Sequence, residues 1–159
     1  MSSPAALTGA NFRRGGYLPY PERYARAAEV VEVARALWDS WDDDAVLADR
    51  IAGEFLRPGA VRPVAHHGTY ADVVGLFETP RGPQGHPVLF QAGDSADGRE
   101  FAAATADVVF SAHSTFDVGR AFYEDVKGRL AAHGGARASL LVLPAPVVAR
   151  IHIWRWGRR

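Results

Sequence analysis

The chain has 159 residues, 48% of them hydrophobic and 23% charged, the proportions of one soluble globular unit. Its eighteen basic and eighteen acidic side chains cancel, so no net field draws it toward nucleic acid or a membrane surface. The absence of cysteine excludes disulfides and thiolate metal sites and fits a cytoplasmic protein.

Residues 1–20 are rich in Gly, Pro and Arg and read as a loop, with no apolar core of a secretory signal. A helix is expected from Pro21, because Tyr24, Ala27, Ala28, Val31, Ala34, Leu37 and Trp38 recur at helical spacing. Asp42, Asp43 and Asp44 follow. They lack the alternating ligand positions of a calcium loop and read as a solvated helix end or cap.

Residues 51–86 carry many Pro and Gly and read as part of an irregular excursion, about residues 40–86, holding one small hairpin. Strand character is expected around Thr69–Tyr70 and Val73–Val74. His66 and His67 are adjacent, so a strand would point them to opposite faces, which argues against a shared metal. No metal site is expected.

Regular alternation then begins. Val88 to Gln91 reads as a buried strand, Asp97 to Thr105 as a helix, and Ala106 to Phe110 as a second strand. A helix with Phe116, Ala121, Phe122, Val126 and Leu130 inward follows, stopped by Gly134–Gly135, before a third strand, Ser139 to Pro144. Strand–helix alternation with short turns implies adjacent parallel strands, in chain order, with helices on one side: an α/β fold. The longest apolar run, Leu140 to Ala149, is interrupted by Pro144 and Pro146 and is too short to span a bilayer.

The turn between the first of these strands and its helix holds Gly93, Asp94, Ser95 and Gly98. A strand end, a Gly-rich turn and a helix N-terminus suit a phosphate, since backbone N–H groups and the positive end of the helix dipole meet there. The same residues also suit a plain turn capped by Asp94 or Ser95. Gly93 and Gly98 have Walker spacing, but Arg99–Glu100 stand where Lys-Ser/Thr is required, so a nucleoside triphosphatase is excluded. No Rossmann fingerprint is present. What remains suits a monophosphate, such as the tail of a flavin mononucleotide.

Three stretches carry a resemblance: Asn11-Phe12 through Glu22-Arg23-Tyr24; Leu37-Trp38-Asp39-Ser40-Trp41; and the Gln-Ala-Gly-x-Ser-x-x-Gly-Arg run from Gln91 to Arg99. In order and spacing, from about Ala10 to Pro144, the chain resembles the bacterial luciferase-like flavin monooxygenases. The branch is the one holding nitrilotriacetate, dibenzothiophene-sulfone and long-chain alkane monooxygenases. The resemblance implies a TIM (β/α)8 barrel that takes reduced FMN from a separate NAD(P)H-dependent flavin reductase and oxidises a small organic substrate with O2. It assigns the FMN phosphate to Ser95, with the Asp94 amide beside it, and to Tyr24. Tyr20 stands where the family commonly has a flavin-contacting histidine; a tyrosine donates a hydrogen bond but offers no imidazole acid or base. No catalytic residue is assigned.

A complete barrel takes about 250 residues, so about three of eight strands are expected here, within a partial luciferase-like domain over residues 1–144. Residues 145–159, with Trp154 and Trp156 among arginines, read as an atypical tail of the kind a shifted reading frame produces, since no comparable basic cluster occurs elsewhere in the chain. Such an open wedge is expected to leave sheet edges and apolar faces uncovered, favouring a homo-oligomer or a complementing chain. It is expected to bind FMN weakly or not at all and to oxidise no substrate by itself. The alternative to an enzyme is a non-catalytic or degenerate α/β module that needs a partner to complete the barrel.

Overall fold

In a computed structural model, the structure describes residues 18–113, 115–133 and 141–144; the side chains of Tyr20 and of residues 141–144 lie outside the description. Helix α1 runs Tyr20–Asp39, with Pro21 in its first turn, where a missing N–H costs nothing. Two antiparallel hairpins follow: β1 (Val46–Asp49) with β2 (Glu54–Leu56), and β3 (Val64–His67) with β4 (Asp72–Gly75). Then come β5 (Phe90–Gln91), α2 (Ala96–Thr105), β6 (Val108–Ser111), α3 (Phe116–Arg129) with a 3-10 turn at Leu130–His133, and β7 (Leu141–Pro144).

The last three strands form one parallel sheet in the order β5-β6-β7, with Phe90 paired to Val108 and Val108 paired to Leu141. This is the expected topology. Helices α2 and α3 pack together on one face of it, burying Ala102, Ala103, Ala106, Val109, Phe122, Val126 and Leu130. The small alanine face of α2 lets the backbone sit close to β6, and Phe122 and Val126 of α3 fill the remaining space. Each large side chain buried here contributes about 1.5–3 kcal/mol.

Several expectations are corrected. Val88 and Phe90 are 56% and 65% exposed, so the first strand is covered on one face only, and its ladder begins at Phe90. Phe110 is exposed too, because it alternates with the buried Val109. Phe116 is 80% exposed: it is the first residue of α3, ahead of the turn that meets the core. Ala121 and Ala28 are exposed as well.

The excursion contains two hairpins where one was expected, and Thr69–Tyr70 is the turn between β3 and β4, not a strand. Nor are the three aspartates only a solvated cap. Asp42 accepts from Arg57 at 2.7 Å and also from Arg62, and Asp44 accepts from Arg57 at 2.7 Å. Beside them Trp41, Ala45 and Ala60 form a second small core, and the Trp41 indole N–H donates to the Phe77 carbonyl at 2.6 Å.

The excursion is tied to α1 by Glu29. Its carboxylate accepts the backbone N–H groups of Thr69, Tyr70 and Ala71, the shortest at 2.7 Å, and lies 3.3 Å from His66 Nε2. Burial would raise the Glu29 pKa, but the Tyr70 amide, His66 and the Ala71 amide outweigh it and hold the carboxyl below its ordinary value. A Cβ at Gly68 would collide with that carboxylate, which explains the glycine.

Candidate functional site

The turn after β5 is built from the strand end outward. Ser95 is the N-cap of α2, in extended backbone conformation, and its hydroxyl accepts the Gly98 N–H at 3.0 Å. The capped turn is therefore present. It is not all that is present, because the Tyr24 hydroxyl reaches across from α1 to lie 3.4 Å from Ser95 Oγ. The Tyr24 ring is steadied by Phe101 of α2, with centroids 5.8 Å apart.

Gly93 and Gly98 make this approach possible. A Cβ on Gly98 would sit 2.9 Å from the Tyr24 hydroxyl and 3.1 Å from Ser95 Oγ; one on Gly93 would sit 3.3 Å from that hydroxyl. Gly98 is thus small because the Tyr24 and Ser95 hydroxyls both close on its backbone, and Gly93 because Gln91 Nε2, at 3.0 Å from such a Cβ, and the Tyr24 hydroxyl crowd it. The first turn of an α-helix also presents amides with no intrahelical acceptor, so the arrangement offers hydroxyl donors, backbone donors and the positive helix end on one side. Such a cradle suits a compact anion.

Among the residues expected at a phosphate, the structure brings Tyr24 and Ser95 together. Asp94 lies in the turn with its carboxylate turned outward, 3.7 Å from the Arg99 guanidinium. Tyr20 opens α1, one turn before Tyr24, and its side chain lies outside the described residues. The two histidines of the excursion are apart in role: His66 meets Glu29, whereas His67 faces solvent beside Asp72 at 3.2 Å. No group of three or more potential metal ligands occurs among the described residues.

Sequence reasoning passed over Arg99. Against a Walker template Arg99 is only a departure, yet in the structure its Nε donates to the Asp94 carbonyl at 3.0 Å. Its Nη1 donates to Asp125 at 2.9 Å, and the guanidinium lies 5.2 Å from the Phe122 ring centroid. Arg129 first, and Arg99 second, hold the Asp125 carboxyl below its ordinary value. The available signal was the placement of Arg99 one helical turn after the cap. Ser111 and His113 were also passed over; Ser111 ends the neighbouring strand β6 and His113 lies two residues beyond it, and Ser111 Oγ and His113 Nε2 are buried with no hydrogen-bond partner among the described residues.

A cavity of about 530 Å³ lined by Arg35, His86, Leu89 and Asp107 lies at the other, amino ends of β5 and β6, away from this turn. Among the described residues, no helix is long and apolar enough to cross a membrane.

Comparison with known proteins places these features in a family. Residues 7–153 match the family model described as luciferase-like monooxygenase. Nitrilotriacetate monooxygenase component A of Aminobacter aminovorans is 47% identical over 138 residues, covering 87% of this chain and 30% of that protein. Dibenzothiophene-sulfone monooxygenase of Rhodococcus erythropolis is 43% identical over 124 residues, covering 78% and 27%. The crystal structure of DmoA from Hyphomicrobium sulfonivorans superposes with a TM-score of 0.81 at 34% identity, covering 91% of this chain and 31% of that one. The chain thus spans 27–31% of the length of these relatives. With the parallel β5-β6-β7 arc and its outer helices, the match establishes that the chain belongs to the luciferase-like monooxygenase family and carries part of its TIM-barrel fold.

Proposed function

We propose that this chain carries the phosphate cradle of a two-component flavin monooxygenase, working in the cytoplasm with reduced FMN delivered by an NAD(P)H-dependent flavin reductase. The observation that carries the proposal is the meeting of Tyr24 and Ser95 over the N-terminus of α2, with Gly93 and Gly98 as its floor. The donors fit a phosphate monoester: two hydroxyls and helix-end amides stabilise a doubly charged group without requiring a lysine. In this reading Ser95, the Asp94–Ser95 backbone and Tyr24 hold the phosphate, and Tyr20, one turn earlier on α1, is the residue assigned to the flavin. When bound, reduced flavin supplies the electrons with which O2 oxidises a small organic substrate. The residues described above bind and orient; the pocket that excludes water belongs to the closed barrel.

The exposed side chains of Val88, Phe90 and Phe110 support a second reading, in which this segment works only when another chain or a second copy covers that sheet face.

The test is a titration of the ¹⁵N-labelled chain with FMN and, separately, with riboflavin, which lacks the phosphate. NMR shifts report binding even at millimolar affinity. FMN is expected to move the amide signals of residues 93–98 and to bind about tenfold more tightly than riboflavin, from charge-assisted hydrogen bonds. Ser95→Ala is expected to remove most of that preference. Equal responses to the two flavins, or shifts confined to other parts of the chain, would defeat the proposal.

A further inference from the structure

The Asp94–Ser95 peptide is gripped from one direction. Its carbonyl oxygen, on Asp94, accepts from Arg99 Nε at 3.0 Å, while the Ser95 carbonyl accepts the Arg99 backbone N–H at 2.9 Å. The peptide is trans, so the Asp94 C=O and the Ser95 N–H lie in one plane and point in opposite directions. Fixing the oxygen therefore fixes where the Ser95 amide aims.

Arg99 is itself held from α3. Asp125 accepts from its Nη1 at 2.9 Å, and its guanidinium carbon lies over the ring of Phe122, a side chain 3% exposed. Asp125 is anchored in turn by Arg129 at 3.1 Å, and Arg129 also pairs with Glu100 at 2.8 Å. The planar fork of arginine reaches the carbonyl and the carboxylate at once, a geometry a lysine ammonium does not reproduce. With Nε on the carbonyl, Nη1 on Asp125 and Nη2 near the Asp94 carboxylate, the charge of Arg99 is engaged on the α3 side of the turn.

We infer that Arg99 is a positioning residue for the phosphate: braced by Asp125 and Phe122 of α3, it orients the Ser95 amide toward the anion without itself binding it. The inference rests on the cradle reading above and adds to it a specific dependence of cofactor recognition on α3.

The experiment is the same FMN and riboflavin titration of the full chain, carried out on wild type, Arg99→Lys and Asp125→Asn. Arg99→Lys is expected to lower the FMN-over-riboflavin preference about tenfold and to shift the Ser95 amide resonance before any ligand is added. Asp125→Asn, which leaves the arginine but loosens its brace, is expected to lower the preference about threefold. Riboflavin affinity stays unchanged in both. Unchanged Ala102 and Val109 amide signals show that α2 and β6 remain folded; if Arg99→Lys loses them, Asp125→Asn decides. If wild type prefers FMN and both folded variants keep that preference, the inference fails and the cradle stands. If Arg99→Lys retains the preference while Ser95→Ala loses it, Arg99 is a replaceable point charge, and the inference fails as well. If wild type shows no preference, the cradle reading fails and takes the inference with it.

Discussion

The β5-α2-β6-α3-β7 wedge and the excursion between α1 and β5 are held by different forces. In the wedge, helices bury a continuous apolar cluster against the sheet, and ion pairs such as Arg129–Glu100 sit on top of it. In the excursion the buried apolar cluster is small, Trp41, Ala45 and Ala60 with Val61 and Phe77 packed against it, and the strands of its first hairpin are exposed throughout. Its shape depends on polar staples instead: Glu29 on the 69–71 turn, Asp42 on two arginines, and the Trp41 indole on a distant carbonyl. A segment without regular periodicity keeps a fixed conformation when long-range hydrogen bonds satisfy its backbone.

The contrast predicts separate responses to substitution. Phe122→Ala removes the largest side chain from the wedge core and is expected to destabilise the chain by about 3–5 kcal/mol, read as a lower denaturation midpoint with loss of protection at Ala102 and Val109. An unchanged midpoint would mean that the wedge is not the cooperative unit.

Acid is expected to act on the excursion first. The Glu29 pKa is depressed below its ordinary 4.5, so its stabilising contribution is complete above that value and is lost as pH falls through the depressed folded value. Asp42, held down by Arg62 first and then Arg57, behaves the same way below its ordinary 3.8. Protection against hydrogen exchange at Tyr70 and Ala71, taken relative to the intrinsic rate at each pH, should therefore fall on acidification below pH 4.5 before protection at Val109 does. Glu29→Gln should produce about a tenfold faster exchange of those amides already at neutral pH. Simultaneous opening of both regions would show that they unfold as one.

The smallest effect is expected at the α3 cap. Thr115 Oγ1 accepts the Val118 N–H at 3.4 Å, a long bond at an exposed position. Thr115→Ala should cost about 0.5–1 kcal/mol, visible in the denaturation midpoint and confined to the wedge.

The sequence by itself determined the helices, the parallel strand order and a capped turn ahead of α2, with Asp94 and Ser95 both open as the cap; the structure assigns it to Ser95. Those features rest on short-range physics: the helical spacing along α1 and α3, apolar runs bounded by turn residues, and a serine just ahead of a helix. The family resemblance, carried by three short motifs, named Tyr24 and Ser95, although nothing local to either residue says that they meet. Only the tertiary structure decided which side chains of an apolar run are covered, because Phe90, Phe110 and Phe116 differ from Phe122 in what packs against them, not in type. It also decided the second hairpin, the Glu29 staple and the brace on Arg99. The staple spans up to 42 residues, the Arg99–Asp125 bond 26 and the Tyr24–Ser95 contact 71. Pairing over such distances follows from how α1, α2 and α3 come together around one sheet, and no periodicity within a single element encodes it.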